Sequence, residues 1–303
     1  MATDWELIFP FGLPGAMKLA DTAFAKIDQL EDQLSVYRDH SEISRLNVSA
    51  ARGPVAVEPN LFRLLEEAAK INRETEGAFD IAAGALIRAW GYFRGPRRVP
   101  EPRELAACLA QVGMKHVELN PETHSVQFGK EALEINLGAI GKGYAIDQAA
   151  ALLRYDGKCR SALLHGGHSS VYAIGSEPGT TSGWPVEIGH PLEPGSSLGV
   201  LYLGDCAMGT SAATFQYFEH HGRKLGHILD PRSGWPARGV HGVTVIAPTA
   251  ARADALATAF FIQGPKKAEA YCRVHEDIGA IMLVEGCDQL KLFGRAADLF
   301  RAS

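Results

Sequence analysis

The chain has 303 residues, of which 46% are hydrophobic and 21% are charged. Its 30 basic and 35 acidic residues give a formal net charge of −5, which argues against a dedicated nucleic-acid-binding protein with a basic face. No apolar run reaches the ~18 residues that a membrane-spanning helix needs, so we expect no membrane span. At ~150 residues per domain, the length suggests two domains or one large one, with a core that needs no disulfide bonds.

The cysteines and the first residues favour a cytoplasmic protein. The five cysteines are odd in number and none has CxxC spacing, which argues against a zinc ribbon or a disulfide framework. The N-terminus has no basic region and no small-residue cleavage site, so it does not resemble a signal peptide.

Hydrophobic periodicity predicts an α+β fold of mixed sheets with flanking helices. Apolar residues at helical spacing predict helices over 16–34, from Pro59 to Gly77, after Gly143 and over 250–263, with a short capped helix ending near Asn47. Strands are predicted at 4–9, 116–120, 125–128, 132–136, 161–165, 170–174, 184–188, 198–203, 241–247, 279–284 and 289–293. The segment 95–103, rich in Pro and Arg, is predicted to be a surface connection. Hairpin-like runs of strands with few helices between them favour α+β over alternating βαβ.

The glycine-rich segment Gly138–Gly143 is the first candidate for a ligand site. Backbone N–H groups at a helix start bind anions, glycines permit close approach, and Lys142 adds a positive charge. The segment is not a Walker A loop, because Gly143 stands where that motif has a hydroxyl residue for Mg²⁺. From these residues alone, an ordinary turn into a helix is the simpler interpretation.

Asp254 and Thr258 are the second candidate. They lie four residues apart on the predicted helix 250–263 and therefore share one of its faces, although the helix is otherwise nearly all apolar. A carboxylate there either interacts with the positive end of the helix dipole or ligates a hard cation such as Mg²⁺ or Ca²⁺. Taken alone, the helix-start interpretation is the simpler one.

Three further polar segments are weaker candidates. His220–His221 lacks zinc-binding spacing and is expected in a solvated loop, whereas His227 ends a predicted strand before a Pro/Gly turn. Gly77–Asp80 suggests a helix C-cap glycine followed by a turn carboxylate. The hydroxyls of Thr210–Ser211 either cap a turn or contact a phosphate, and capping is the simpler use.

In this order, the segments resemble the ApbE family, the FAD:protein FMN transferases. His227–Gly234 (HILDPRSG) is close to the family's HIIDPRTG, and Ala253–Thr258 matches its ADALAT element; both are specific in sequence and spacing. The other matching segments are Met1–Thr3, Leu34–Asn47, Gly77–Asp80, Trp90–Gly91 and Asn136–Asp147. The resemblance covers nearly the whole chain and implies one bilobal ApbE-like domain over residues 1–303, with its site between the lobes.

The resemblance also implies an activity. In the family, FAD binds with Mg²⁺ and is cleaved at its pyrophosphate; FMN is transferred to a Thr or Ser hydroxyl of an acceptor flavoprotein, and AMP leaves. Mg²⁺ would be held by Asp254, Thr258 and the backbone carbonyl of Ala139. FAD would contact Met1, Ala78, Phe79, Asp80, Asn136, Lys142 and the backbone near Ile228. His227 would sit at the reacting phosphates, and either it or a metal-linked carboxylate would accept the proton.

Departures from the family pattern keep two alternatives open. Asn136 stands where the family usually has Asp, Gly166–His168 replaces GG[DN], and Thr210–Ala212 replaces TSG. The alternatives are an FAD pyrophosphatase, in which water replaces the acceptor hydroxyl, and a non-catalytic FAD-binding protein. A histidine-based zinc hydrolase lacks a ligand motif.

The resemblance bears on localisation as well. Met1 falls on an internal Met-Gly-Thr position of the family, so a leader, often with a lipoprotein anchor, would lie upstream of residue 1. Localisation is therefore open: the composition favours the cytoplasm, and a removed leader would make the protein exported and membrane-associated.

Overall fold

Helices and antiparallel strands alternate irregularly along the computed structural model, which describes residues 3–167, 169–212, 217–287 and 289–302. The helices are α1 (Ala16–Leu34), α2 (Glu42–Ser49), α3 (Pro59–Glu74), α4 (Gly84–Ala89), α5 (Pro102–Leu109), α6 (Gly141–Ala151), α7 (Ala250–Gln263), α8 (Pro265–Val274) and α9 (Ala296–Leu299). The strands are β1 (Trp5–Ile8), β2 (Val55–Ala56), β3 (Val117–Asn120), β4 (Ser125–Phe128), β5 (Ala162–Gly166), β6 (Ser170–Ile174), β7 (Trp184–Gly189), β8 (Ser197–Leu203), β9 (Cys206–Ala212), β10 (Tyr217–His220), β11 (Arg223–Gly226), β12 (Val240–Ala247), β13 (Gly279–Val284), β14 (Lys291–Gly294) and β15 (Phe300–Ala302). Among the described residues, no helix has both the length and the apolar character that a bilayer crossing requires.

The chain divides into two compact units. The first contains Met1–Glu31, Ile140–Thr214 and Gly239–Ser303, and the second contains Asp32–Ala139 and Phe215–Arg238. The mixture of helices with antiparallel sheets confirms the predicted α+β class.

Two antiparallel sheets lie in the first unit, together with helices that include α6 and α7. The larger has the order β1-β5-β6-β9-β12-β13-β14, and the smaller has the order β15-β8-β7. Side chains from both sheets, among them Trp184, Met208 and Ile246, pack into one apolar cluster. Because side chains alternate along a strand, Gly209 faces away from the cluster that contains its neighbour Met208. The backbone of α7 approaches β9 at this glycine.

Helix α7 is buried on almost every side, and its start is doubly fixed. The side chain of Thr249 accepts the Arg252 N–H at 3.3 Å as an N-cap. The carboxylate of Asp147 on α6 accepts the first two helical N–H groups, from Ala250 at 2.7 Å and from Ala251 at 2.9 Å. These bonds satisfy donors that a helix start leaves without partners, and they join α7 to α6.

The second unit contains helices α2 to α5, the sheet β2-β4-β3 and the hairpin β10-β11. Ser41 caps α2 by accepting the Ser44 N–H at 2.9 Å, and Pro59 occupies the first turn of α3, where its missing N–H costs nothing. Trp90 is fully buried in an apolar cluster with Leu86 and Leu229.

The predicted elements agree with the structure wherever the hydrophobic period is strong. The long helix 16–34 and the helix 250–263 match α1 and α7 at both ends. The strand predicted at 132–136 is wrong, because the backbone of Ile135 pairs with the amide side chain of Asn47 (2.8 and 2.9 Å) rather than with a strand. The connection predicted at 95–103 extends too far, since α5 already begins at Pro102.

Candidate functional site

Asp254 is a buried carboxylate held by donors from two other elements. It is the fifth residue of α7, and the residue is only 9% exposed. Its Oδ1 accepts the Ser170 hydroxyl of β6 at 2.6 Å, and its Oδ2 accepts the Gly143 N–H of α6 at 2.9 Å. Thr249 provides the cap of α7. The helix-start interpretation of Asp254 is therefore wrong, and the carboxylate is instead oriented by its neighbours.

Burial destabilises the ionised form of Asp254. Burial raises the pKa of Asp254 to about 6, against the opposing effects of the Lys142 charge and of the two hydrogen bonds. Burial also raises the pKa of Asp147 to about 7, and the nearby charge of Asp254 contributes to that rise. The same buried surroundings thus disfavour the ionised forms of Asp254 and Asp147. A divalent cation would stabilise these ionised forms.

Thr258 supplies a second hard oxygen on the same helix face. Its hydroxyl donates to the Asp254 carbonyl at 3.2 Å and lies 3.3 Å from the Ser211 hydroxyl. Among the residues that the structure describes, no three His, Cys, Asp or Glu side chains gather into a metal-binding group. A cation at Asp254 would therefore need hydroxyl and backbone oxygens as further ligands, and Mg²⁺ accepts these. The donor set fits a hard cation.

The start of α6 contributes Lys142 and Gly143 to this cluster. The Lys142 ammonium donates to the Ser169 hydroxyl. Gly143 cannot be replaced without movement, because a Cβ atom there would overlap the Ala250 carbonyl at the start of α7. The glycine therefore permits α6 to approach α7 closely enough for its N–H to reach Asp254.

Within the second unit, the Gly77–Asp80 segment ends α3. The C-cap residue of α3 is Thr75, and Glu76 takes the first left-handed position with a φ of 52°, so the prediction of Gly77 as the C-cap residue is wrong by two positions. Gly77 follows with a φ of 75°, and its N–H donates to the Asn72 carbonyl at 2.8 Å, which closes the end of the helix. Ala78 and Phe79 are each only 1% exposed, so their side chains belong to the protein core. Any ligand contact at these two positions would have to come from the main chain.

Asp80 is held by three donors. It accepts the Ala82 N–H at 2.8 Å, the Met114 N–H at 3.0 Å and the Asn72 side-chain amide at 3.0 Å. Burial raises the pKa of Asp80, and the three hydrogen bonds oppose that rise. These bonds make Asp80 an anchor for the end of α3.

Asn136 and His227 occupy different surroundings in the second unit. The Asn136 N–H donates to the Ile81 carbonyl at 2.7 Å, and its Oδ1 accepts the Gly138 N–H at 2.8 Å. His227 follows β11 directly, and its ring is edge-on to that of Tyr92, with 6.4 Å between the ring centroids.

The turn after His227 is tied to the rest of the second unit. The Ile228 carbonyl accepts the Ala237 N–H at 2.9 Å, which closes the turn. Arg232 forms a bidentate ion pair with Asp230, with both N–O distances at 2.9 Å. The indole N–H of Trp90 donates to the carbonyl of Gly234 at 2.9 Å, so the Trp90–Gly91 segment supports the turn.

The structure brings some of the predicted residues together. Lys142, Asp254 and Thr258 lie in one cluster of the first unit. In the second unit, Asp80 and Asn136 both bind the backbone between residues 80 and 83. The predicted FAD contact Met1 and the departure from the family pattern at His168 lie outside the described residues.

Two other predictions concern hydroxyls and histidines. His220–His221 is exposed at the turn of the β10-β11 hairpin, as expected. Thr210–Ser211 lies within β9 and not at a turn, so the capping interpretation is wrong; the Thr210 hydroxyl instead lies 2.9 Å from that of Thr244 on β12.

Ser170 and the function of Asp147 were not identified from the sequence. Ser170 reaches Asp254 only because β6 pairs with β9, with Ser170 opposite Gly209. No pattern in the local sequence indicates which residues lie opposite each other in two paired strands. Asp147 lies one helical turn beyond Gly143, and this spacing was the sequence feature that indicates a shared face of α6.

Comparison with known proteins gives one consistent result. A sequence profile described as the ApbE family matches residues 1–282. The chain is 32% identical over 277 residues to an FAD:protein FMN transferase of Treponema pallidum, which covers 87% of this chain and 76% of the relative. It is 29% identical over 298 residues to the Escherichia coli K12 protein of the same name, covering 96% and 84%.

Solved structures agree with the sequence relatives. An ApbE protein from Thermotoga maritima superposes with a TM-score of 0.87 at 27% identity, covering 99% of this chain and 96% of that one. The flavin transferase ApbE from Vibrio cholerae gives a TM-score of 0.85 at 27% identity, with the same coverage of 99% and 96%.

Proposed function

The chain belongs to the ApbE family, and we propose that it is a Mg²⁺-dependent FAD:protein FMN transferase. It cleaves FAD at the pyrophosphate, transfers FMN to a Thr or Ser hydroxyl of an acceptor flavoprotein and releases AMP. The relatives that carry this name support the transferase activity. The Mg²⁺ ion, the released AMP and the Thr or Ser acceptor are the parts of the proposal that go beyond those names.

The observation that carries the proposal is the environment of Asp254. A buried carboxylate is positioned by a hydroxyl and a backbone N–H, while a Thr hydroxyl lies one helical turn away. We assign Asp254 and Thr258 as metal ligands, together with the backbone carbonyl of Ala139 that the family resemblance adds. These oxygens are of the type that Mg²⁺ prefers.

Bound Mg²⁺ would polarise the phosphoryl group and stabilise the leaving oxygen. Ser170 and Gly143 fix the orientation of the Asp254 carboxylate, so it requires no rearrangement when charge develops. Lys142 brings a positive charge to the same cluster and is available to neutralise phosphate oxygens. The acceptor hydroxyl loses its proton to His227 or to a metal-linked carboxylate, and we propose His227 as the first of these to test.

The proposed FAD contacts in the second unit divide into main-chain and side-chain groups. Ala78, Phe79 and Ile228 would contact FAD through their main chain, because their side chains are buried. Asp80 and Asn136 would contribute side chains. The Asn136 Oδ1 accepts the Gly138 N–H, and the oxygen of an amide or of a carboxylate can do this equally well. Asn136 in place of the family's usual Asp therefore removes one negative charge but keeps this hydrogen bond. Met1 completes the proposed set.

The direct test combines the protein with FAD, Mg²⁺ and a flavoprotein acceptor. AMP release would be measured by chromatography, and in-gel flavin fluorescence would report covalent labelling of the acceptor. A transferase gives AMP and labelled acceptor in equal amounts. AMP and FMN without labelled acceptor would instead establish a pyrophosphatase, and bound FAD without AMP would establish a binding protein.

Mg²⁺ binding is expected to weaken as the pH falls below about 6. Because burial raises the Asp254 pKa to about 6, the metal-free carboxylate is protonated below that pH and ionised above it. The raised value also means that ionisation destabilises the metal-free fold as the pH rises through 6, and that Mg²⁺ relieves this destabilisation. Mg²⁺ should therefore raise the melting temperature more at pH 7.5 than at pH 5, measured by differential scanning fluorimetry. Equal shifts at both values would contradict a role for Asp254 ionisation.

Thr258 offers a matched pair of substitutions. Thr258→Ser keeps the hydroxyl and should retain the Mg²⁺ affinity within about threefold. The near-isosteric Thr258→Val lacks the hydroxyl and should weaken Mg²⁺ binding at least about tenfold, because one oxygen ligand contributes more than ~1.4 kcal/mol. Isothermal titration with Mg²⁺ in the presence of FAD measures both. Equal affinities for the two variants would remove Thr258 from the ligand set.

A further inference from the structure

A separate cavity with charged residues in its lining lies in the first unit, at the other end of α6 and β6 from the Asp254 cluster. It has a volume of about 410 Å³ and is lined by Arg154, Lys158, Cys159, Arg160, Ile174, Gly175 and Asp205. The eleven steps from Gly143 to Arg154 span roughly 16 Å of helix, and the four steps from Ser170 to Ile174 span about 13 Å of strand. The cavity is therefore distinct from the proposed metal site.

The lining of the cavity carries an excess of positive charge. Arg154 forms an ion pair with Asp205, whose Oδ1 also accepts the Gly175 N–H at 2.9 Å, so this carboxylate is already compensated. Lys158 and Arg160 have no ion-pair partner within the described part of the chain. Two adjacent cations thus remain available in a chain whose overall charge is −5.

The backbone of the loop that carries these charges is held in place. A π-helical turn, Leu152–Asp156, follows α6, and such turns are frequent at functional sites. Lys158 and Asp205 both have a φ of 51°, a left-handed conformation that costs about 1–3 kcal/mol outside glycine and persists only where the surroundings impose it. The Cys159 N–H donates to the Leu153 carbonyl at 2.8 Å, which fixes the charged loop to the end of the helix.

We propose that this cavity binds a phosphate monoester. A dianionic phosphate matches two uncompensated cations, with Arg160 able to donate two parallel hydrogen bonds and Lys158 acting as a point charge. The cavity is larger than a phosphate ion and falls within the ~300–1,000 Å³ of small-molecule sites, so it has room for the organic part of the ester. Inorganic phosphate shares the same anionic chemistry and is the alternative source.

The test uses the full chain carrying Asp254→Asn, without Mg²⁺, so that the proposed reaction site contributes little binding. Isothermal titration would compare ribose 5-phosphate, glycerol 3-phosphate, inorganic phosphate and ribose. Both esters should bind saturably, inorganic phosphate more weakly, and ribose not at all. Adding Lys158→Gln and Arg160→Gln should weaken ester binding at least tenfold.

The matched control removes two exposed lysines elsewhere in the first unit, by Lys18→Gln with Lys266→Gln, and should leave ester binding unchanged. In an otherwise wild-type chain, Lys158→Gln with Arg160→Gln should retain its melting temperature and its rate of FMN transfer. Ester binding that survives the loss of Lys158 and Arg160, or that is equally weakened in the control, would overturn the assignment. The absence of saturable ester binding, or inorganic phosphate binding as tightly as the esters, would also overturn it.

Discussion

Replacing Asp254 with asparagine is expected to reduce Mg²⁺-dependent AMP release and acceptor labelling at least about 1,000-fold. A catalytic metal supplies several kcal/mol of transition-state stabilisation, and each ~1.36 kcal/mol corresponds to a factor of ten in rate. The introduced amide could still accept the Ser170 hydroxyl through its oxygen, but its NH₂ group would then face the Gly143 N–H, and no anionic ligand would remain.

The variant should nevertheless fold, because Asp254 is a buried charge whose ionisation opposes folding in the metal-free protein. We expect its melting temperature without Mg²⁺ to stay within a few degrees of the wild-type value at pH 7.5, and the stabilisation by Mg²⁺ to disappear. Asp21→Asn, an exposed position on α1, is the control for the loss of one carboxylate and should retain full activity. An active Asp254→Asn enzyme that still responds to Mg²⁺ would show that the metal binds elsewhere.

The sequence predicted the oxygen pair on α7 but not the contacts that orient the Asp254 carboxylate. Asp254 and Thr258 follow from the helical period, which places residues four apart on one face. Their partners Ser170 and Gly143 come from β6 and α6, and these contacts depend on strand register and on close approach of two helices. Helical periodicity is a local property, whereas register is set by the whole sheet.

The second unit shows the same division between local and long-range information. A left-handed glycine close to the end of α3 was predictable, because helix ends favour glycine, although Thr75 is the C-cap residue and Glu76 takes the first left-handed position. The three donors on Asp80 were not, since Met114 lies 34 residues away along the chain. The error at 132–136 has a related cause: Asn47, 88 residues from Ile135, pairs with its backbone in place of a strand.

Gly209→Ala tests whether the position of Asp254 matters independently of its chemistry. Gly209 lies in a central strand, where glycine usually weakens pairing, and it is explained by the close approach of a neighbouring backbone. A Cβ atom at this position would lie 2.6 Å from both the Ala253 carbonyl carbon and the Asp254 nitrogen, and 2.7 Å from the Asp254 Oδ1. The methyl group must therefore push α7 away from β9.

We expect Gly209→Ala to reduce FMN transfer at least about 100-fold, because a displacement of ~1 Å in a catalytic group has an effect of that size. Overpacking should also lower the free energy of unfolding by about 1–3 kcal/mol, so activity must be measured well below the melting temperature. The matched control is Gly189→Ala on β7, where an added Cβ atom meets nothing within 4 Å. If Gly209→Ala folds and transfers FMN at the wild-type rate while the control does the same, the contact between β9 and α7 does not set the geometry of the proposed metal site.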